Sequence, residues 1–210
     1  MCSIVGSYKL DEFVSLINLN QSRGKHAWSL MLLYPGRDDG LTMTGGDGLF
    51  PVADCLADLA DMDVPEGTYY IGHVQTPTTT DGNEYRHPAH VNPGGYLYHN
   101  GILHPSYCGT SGWDTEFLLQ AMVDDMDLEY TLGEVRGAFS CLYVTPGKGA
   151  LLFRNSSAPM YMKGTTISSV KFDGAHMTMS GTIFALSPTE WTPIGHFNEH
   201  YNTYKAEGNQ

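Results

Sequence analysis

A cysteine stands directly behind the initiator methionine in Met1-Cys2-Ser3-Ile4-Val5-Gly6. Cys2 is small enough to permit removal of Met1, which leaves a thiol and a free α-amine on one residue. In a free peptide the thiol ionises near about 8.5 and the amine near about 7.7–8.0. An attacking group and its proton acceptor then share one residue at neutral pH. Ser3-Ile4-Val5-Gly6 is a short β-forming run ending at a glycine, which would hold that terminus in a sheet. Taken alone, Cys2 is just as well a buried thiol beside an ordinary N-terminus.

Three further pieces place polar groups at the ends of expected elements, where they can converge on a ligand. They are Gly72-His73-Val74-Gln75-Thr76-Pro77-Thr78-Thr79-Thr80, His99-Asn100-Gly101 and Trp113-Asp114-Thr115-Glu116. Asn-Gly is the commonest hairpin turn, so Asn100-Gly101 reads locally as a type I′ turn. Its chemical reading is an oxyanion hole, made of the Asn100 amide and the Gly101 N–H. Asp114 reads locally as a helix N-cap. Its chemical reading is a carboxylate for a substrate ammonium. His73, His87, His90, His99 and His104 fit no metal-ligand spacing, and Pro88 and Pro105 break any helix that would align them. Neither a metal nor a cofactor is expected.

The elements that must position these groups follow from periodicity. Leu10 to Asn20 has apolar residues on one helical face and acids in its first turn. Pro51 to Met62 is a second helix and Trp113 through Met126 a third. Trp28 to Tyr34 and Leu41 to Thr44 make a hairpin. Thr68 to Val74, Gly95 to His99, Ala138 to Val144 and Ala150 to Phe153 are strands, with shorter ones near Tyr161, Met177 and Ile183 to Ala185. Gln75 to Pro93 is a long irregular segment, a length that usually carries function. The tail after His196 is polar. Strands interleaved with a few helices predict a layered α/β or α+β domain, sheet on sheet with helices outside, spanning residues 1–210.

The 210 residues carry a formal charge of −12, which argues against nucleic acid and anionic membrane as partners. No stretch is long and apolar enough to cross a bilayer, and no leader pattern precedes Ser3, so a cytoplasmic protein is expected. Cys2, Cys55, Cys108 and Cys141 show no paired spacing, against a disulfide scaffold or zinc ribbon.

In order along the chain, these pieces resemble the glutaminase domain of class II glutamine amidotransferases, N-terminal nucleophile enzymes such as the domain in glucosamine-6-phosphate synthase. Met1-Cys2-Ser3-Ile4-Val5-Gly6 is similar to the family's opening Met-Cys-Gly-Ile-x-Gly. Arg23-Gly24 follows the first helix as the family's Arg-Gly does. Gly72-His73-Val74-Gln75-Thr76-Pro77-Thr78 resembles its Gly-His-x-Arg-x-x-Thr loop. Arg86-His87-Pro88, His99-Asn100-Gly101 and Asp114-Thr115-Glu116 come next, then Arg136-Gly137-Ala138-Phe139 and Phe153-Arg154-Asn155-Ser156-Ser157-Ala158-Pro159-Met160. Each is weak alone; in this order they cover nearly the whole chain.

The resemblance implies an α+β fold, the four-layer αββα sandwich, and hydrolysis of the glutamine side-chain amide to glutamate and ammonia. Cys2 would attack and its α-amine would relay the proton. Asn100 and Gly101 would hold the oxyanion. Asp114 would hold the substrate ammonium, and Thr78 with Thr79 its carboxylate. Arg23 lies in the same substrate-binding group. A separate synthase is an expected partner to accept the ammonia.

Two departures bear on substrate. Gln75 stands where the family has the arginine that clamps the glutamine carboxylate, a contact worth about 1.5–3 kcal/mol. Arg86, in the same loop, is a candidate to supply the missing charge. Otherwise the substrate is an amide without a free carboxylate, or the chain is a non-catalytic binding or regulatory relative. Ser3 replaces the family's glycine and is expected to crowd the strand beside the nucleophile.

Overall fold

The computed structural model describes residues 2–36, 41–76, 87–91, 95–104, 112–125, 127–145 and 147–199. Strand β1 (Ser3–Ser7) leads into helix α1 (Leu10–Asn20) and a 3₁₀ turn at Gln21–Arg23. Strands β2 (Ala27–Leu33) and β3 (Leu41–Asp47), helix α2 (Val52–Asp61) and strand β4 (Tyr69–Gln75) follow. Next come β5 (Ala89–Val91), β6 (Gly95–Leu103), α3 (Asp114–Asp124), α4 (Leu128–Glu134), β7 (Gly137–Thr145) and β8 (Gly149–Arg154). The chain continues through β9 (Tyr161–Lys163), β10 (Thr166–Ser168), β11 (His176–Met177), β12 (Thr182–Leu186) and β13 (Trp191–His196).

The strands form a seven-stranded sheet, β11-β9-β10-β1-β4-β2-β3, and a six-stranded sheet, β13-β12-β8-β7-β6-β5. Strand side chains alternate between faces, and that alternation builds the layers. Ile4, Ile71 and Met31 of the first sheet meet Tyr98, Leu142 and Leu152 of the second in the core between them. The intervening Val5, Leu30 and Val74 face outward onto Phe13, Ile17 and Leu59 of α1 and α2. On the far side, Leu97, Phe139 and Cys141 face Leu118, Leu119 and Leu132 of α3 and α4. This is the αββα sandwich, and its class is α+β.

Three local expectations are corrected. Asn100-Gly101 is not a turn: it lies inside β6, Asn100 opposite Ser140 and Gly101 opposite Phe139. The Asn-Gly preference is overridden by eight consecutive cross-strand pairs. Asp114 is not an N-cap: the capping position is Trp113, and Asp114 is the first helical residue. Ser3 does not crowd the nucleophile. Its hydroxyl points the other way, bonded to Asn20 Oδ1 at the end of α1, and Asn20 Nδ2 donates in turn to Ser168 Oγ at 2.9 Å.

Two of the recognised motifs serve as structural ties. Asn155 Oδ1 accepts from Phe139 N–H at 3.2 Å and its Nδ2 donates to the Gly137 carbonyl at 2.7 Å, fixing the start of β7. Buried Arg154 donates to the carbonyls of Thr178, Asn155 and Ala158, satisfying the turn that leads into β9.

Candidate active site

Ile4 lies in the core between the sheets, and β1 pairs Ile4 with His73 of β4. Directly paired residues share a face, so His73 also points between the sheets, and Gln75 two residues on does the same. On β6, Asn100 has the parity of Tyr98, which lies in that same core. One end of the gap therefore collects polar groups from both sheets. Cys2 enters it just ahead of β1, partly exposed, with its Sγ 3.6 Å from the Thr76 carbonyl.

Arg23 reaches this end because Gly24 follows it. A Cβ on Gly24 would stand 2.4 Å from the Gln75 backbone nitrogen, so glycine lets the turn close onto the end of β4. Arg23 Nε then donates to the Cys2 carbonyl at 3.2 Å, and Thr76 Oγ1 donates back to the Arg23 carbonyl at 2.8 Å. Gly101 is required for a similar reason. A Cβ there would fall 1.9 Å from the Ala138 carbonyl oxygen. The glycine that the oxyanion reading needs for access is thus also needed for β6 to lie against β7.

Asp114 ties the start of α3 to the end of β6: its Oδ2 accepts from Leu103 N–H at 3.0 Å. The same oxygen lies 3.9 Å from His99 Nδ1. His99 Nε2 lies 3.3 Å from the Ala138 carbonyl oxygen and Nδ1 3.1 Å from Thr115 Oγ1, whose hydroxyl donates to Asp114 Oδ1 at 3.3 Å. The His73 and His87 rings lie 4.3 Å apart, and Trp113 meets His87 edge-on at 5.6 Å.

Burial dominates the electrostatics. It raises the Cys2 thiol above its ordinary value; the Asp114 carboxylate adds to the rise and Arg23 opposes it. A protonated thiol needs a base to become a nucleophile. Burial also lowers His73, to about 3, with the neighbouring His99 adding to the shift. His87 and His99 are lowered by burial as well. The three imidazoles are neutral at physiological pH, so none of them supplies a counter-charge for a thiolate. His73 Nε2 is buried with no hydrogen-bond partner. Such an atom costs about 1–3 kcal/mol.

The structure thus brings Cys2 and Arg23 into contact and sets Gln75, Asn100, Gly101 and Asp114 around the same end of the sandwich. Thr78, Thr79 and Arg86 lie outside the described residues. Sequence reasoning missed how His73 and His87 group with Cys2, whose ligand atoms lie within 4.8 Å of one another. No local spacing announces it, because the sheet pairing and the sheet-on-sheet packing create it.

The fold is shared with solved structures, an amidotransferase among them. Two solved structures match at probability 1.00. One is the glutamine phosphoribosylpyrophosphate amidotransferase from B. subtilis complexed with ADP and GMP, at TM-score 0.63 and 20% identity over 91% of this chain. The other, described as the allosteric regulatory enzyme of purine biosynthesis, matches at TM-score 0.66 and 18% identity over 96% of this chain. The chain spans about half the length of each, 48% and 50%. No protein-family profile and no curated protein matches the sequence. No described helix is long and apolar enough to cross a membrane.

Proposed function

We propose that the chain is a class II glutamine amidotransferase domain that hydrolyses a side-chain amide through Cys2. The observation that carries this reading is the placement of Cys2. This partly exposed residue sits at the polar end of the gap, held through its carbonyl by Arg23, in a fold shared with a glutamine amidotransferase.

After Met1 is removed, the Sγ attacks the amide carbon while its proton passes to the α-amine, through water. The carbonyl oxygen becomes an oxyanion, held by the Asn100 amide and the Gly101 N–H. Each such donor contributes about 3–4 kcal/mol in acyl-transfer enzymes. The α-ammonium returns the proton to the leaving nitrogen, ammonia departs, and a thioester remains on Cys2. Water attacks the thioester, releasing glutamate and restoring the thiol. Asp114 takes the substrate ammonium; Thr78, Thr79 and Arg86 serve the carboxylate. The ammonia passes to a separate synthase.

A second reading, hydrolysis of an amide with no free carboxylate, is favoured by Gln75. It is neutral and buried at the position of the family's arginine. Glutamate release from glutamine by purified chain, with intact mass confirming loss of Met1, tests the first reading. Wild type is expected to release glutamate and Cys2→Ala none. Equal rates from both would remove Cys2 from the mechanism. Turnover of carboxylate-free amides alone would select the second reading.

A further inference from the structure

We propose that Cys2, His73 and His87 form a binding site for a zinc-class divalent cation at the opening between the two sheets. The donor set is one thiol and two imidazoles, the combination that borderline-soft transition metals prefer. The ligand atoms lie within 4.8 Å of one another. Tetrahedral zinc, with bonds of about 2.1–2.3 Å, places its ligands roughly 3.5 Å apart. Loading therefore draws the group together by about 1 Å.

An independent observation points to a ligand here. His73 Nε2 is buried, lacks a hydrogen-bond partner, and belongs to a ring that faces His87 at 4.3 Å. The backbone N–H of His99 lies 3.4 Å from His87 Nδ1, so a peptide group of β6 holds the second ring in place.

The Cys2 thiol gives up its proton to the solvent when it binds the ion, so loading depends on pH. A metal on Cys2 takes the electron pair that attacks an amide, so occupancy switches hydrolysis off. That consequence rests on Cys2 being the nucleophile; the binding itself does not.

The test uses the full chain, purified without a polyhistidine tag, titrated with cobalt(II) and with zinc. The expected result is one ion per chain and a thiolate-to-cobalt charge-transfer absorption. Cys2→Ser should abolish the absorption. His73→Asn and His87→Asn should each weaken zinc by more than the roughly 10–100-fold that loss of an outer partner costs. If His73→Asn fails to fold, His87→Asn decides the point. His90→Gln, at an exposed histidine of β5, should bind as wild type. Affinity should rise with pH, because the thiol loses its proton on binding. Absence of stoichiometric binding, absorption that survives Cys2→Ser, or equal weakening by His90→Gln overturns the site. A chain that binds zinc through these residues yet hydrolyses no amide keeps the site and overturns only the catalytic role of Cys2.

Discussion

Arg23 Nε donates to the carbonyl oxygen of Cys2 across 3.2 Å. The bond spans 21 residues of chain and joins the turn after the first helix to the residue just ahead of the first strand. It fixes the peptide that carries the sulfur rather than the sulfur itself. Arg23 therefore acts on the orientation of Cys2, in addition to any contact it makes with substrate.

Arg23→Ala should lower turnover more than it raises KM for glutamine. Hydrogen bonds from charged donors are worth about 1.5–3 kcal/mol, so kcat should fall by about tenfold or more. Steady-state kinetics read the split. A variant with unchanged kcat would show that the bond does not position the nucleophile.

Gln75→Arg should restore the carboxylate clamp if glutamine is the substrate. The side chain points into the gap on the same face as His73 and is buried there. KM should fall by about ten- to a hundredfold, the equivalent of about 1.5–3 kcal/mol. In the same variant, Arg86→Ala should then cost little, whereas in the parent it should raise KM. If Arg86→Ala leaves the parent's KM untouched, Arg86 does not replace the missing charge.

Acid should destabilise the fold well before its carboxylates protonate. His73 is held near about 3 by burial, and His87 and His99 are also lowered. In the unfolded chain each returns to about 6.5 and takes up a proton that the folded state excludes. Stability is thus fully present above about pH 6.5 and is lost as pH falls toward 3. Each histidine still neutral removes about 1.4 kcal/mol per pH unit. Urea midpoints measured from about pH 7 to about pH 5 should fall steadily; a flat profile would refute neutral burial.

Much of the fold was legible because its periodicities are strong. Helix α1 was read with its observed bounds, and the inward and outward runs of β2, β4, β7 and β8 were read within about a residue or two at most ends. Helix α4 went unread: it is one short stretch of seven residues with Gly133 inside it, too brief to show a face. Strand β13 was missed because most of its residues are exposed and polar or small, and its pairing with β12 supplies the order that its composition does not. At the site, the chemistry of Cys2, Asn100 and Asp114 was legible from residue type. Their surroundings were not. The Asn100-Gly101 pair looked like a turn because a local preference was read without knowledge of β7. Asp114 looked like a cap because the carboxylate's partner, the Leu103 amide, is 11 residues away. The meeting of Cys2 with His87 depends on a distance of 85 positions along the chain, which no window of sequence contains.

Ser3 and Cys2 are adjacent in the chain but answer to different layers. The Ser3 hydroxyl is moored to Asn20 at the tail of α1, and Asn20 is anchored in turn to Ser168 on the neighbouring strand. The first helix is thus tied, through Ser3, to the residue beside Cys2. A load on the outer surface of α1 is carried by that tie to within one residue of the sulfur, without anything entering the gap between the sheets.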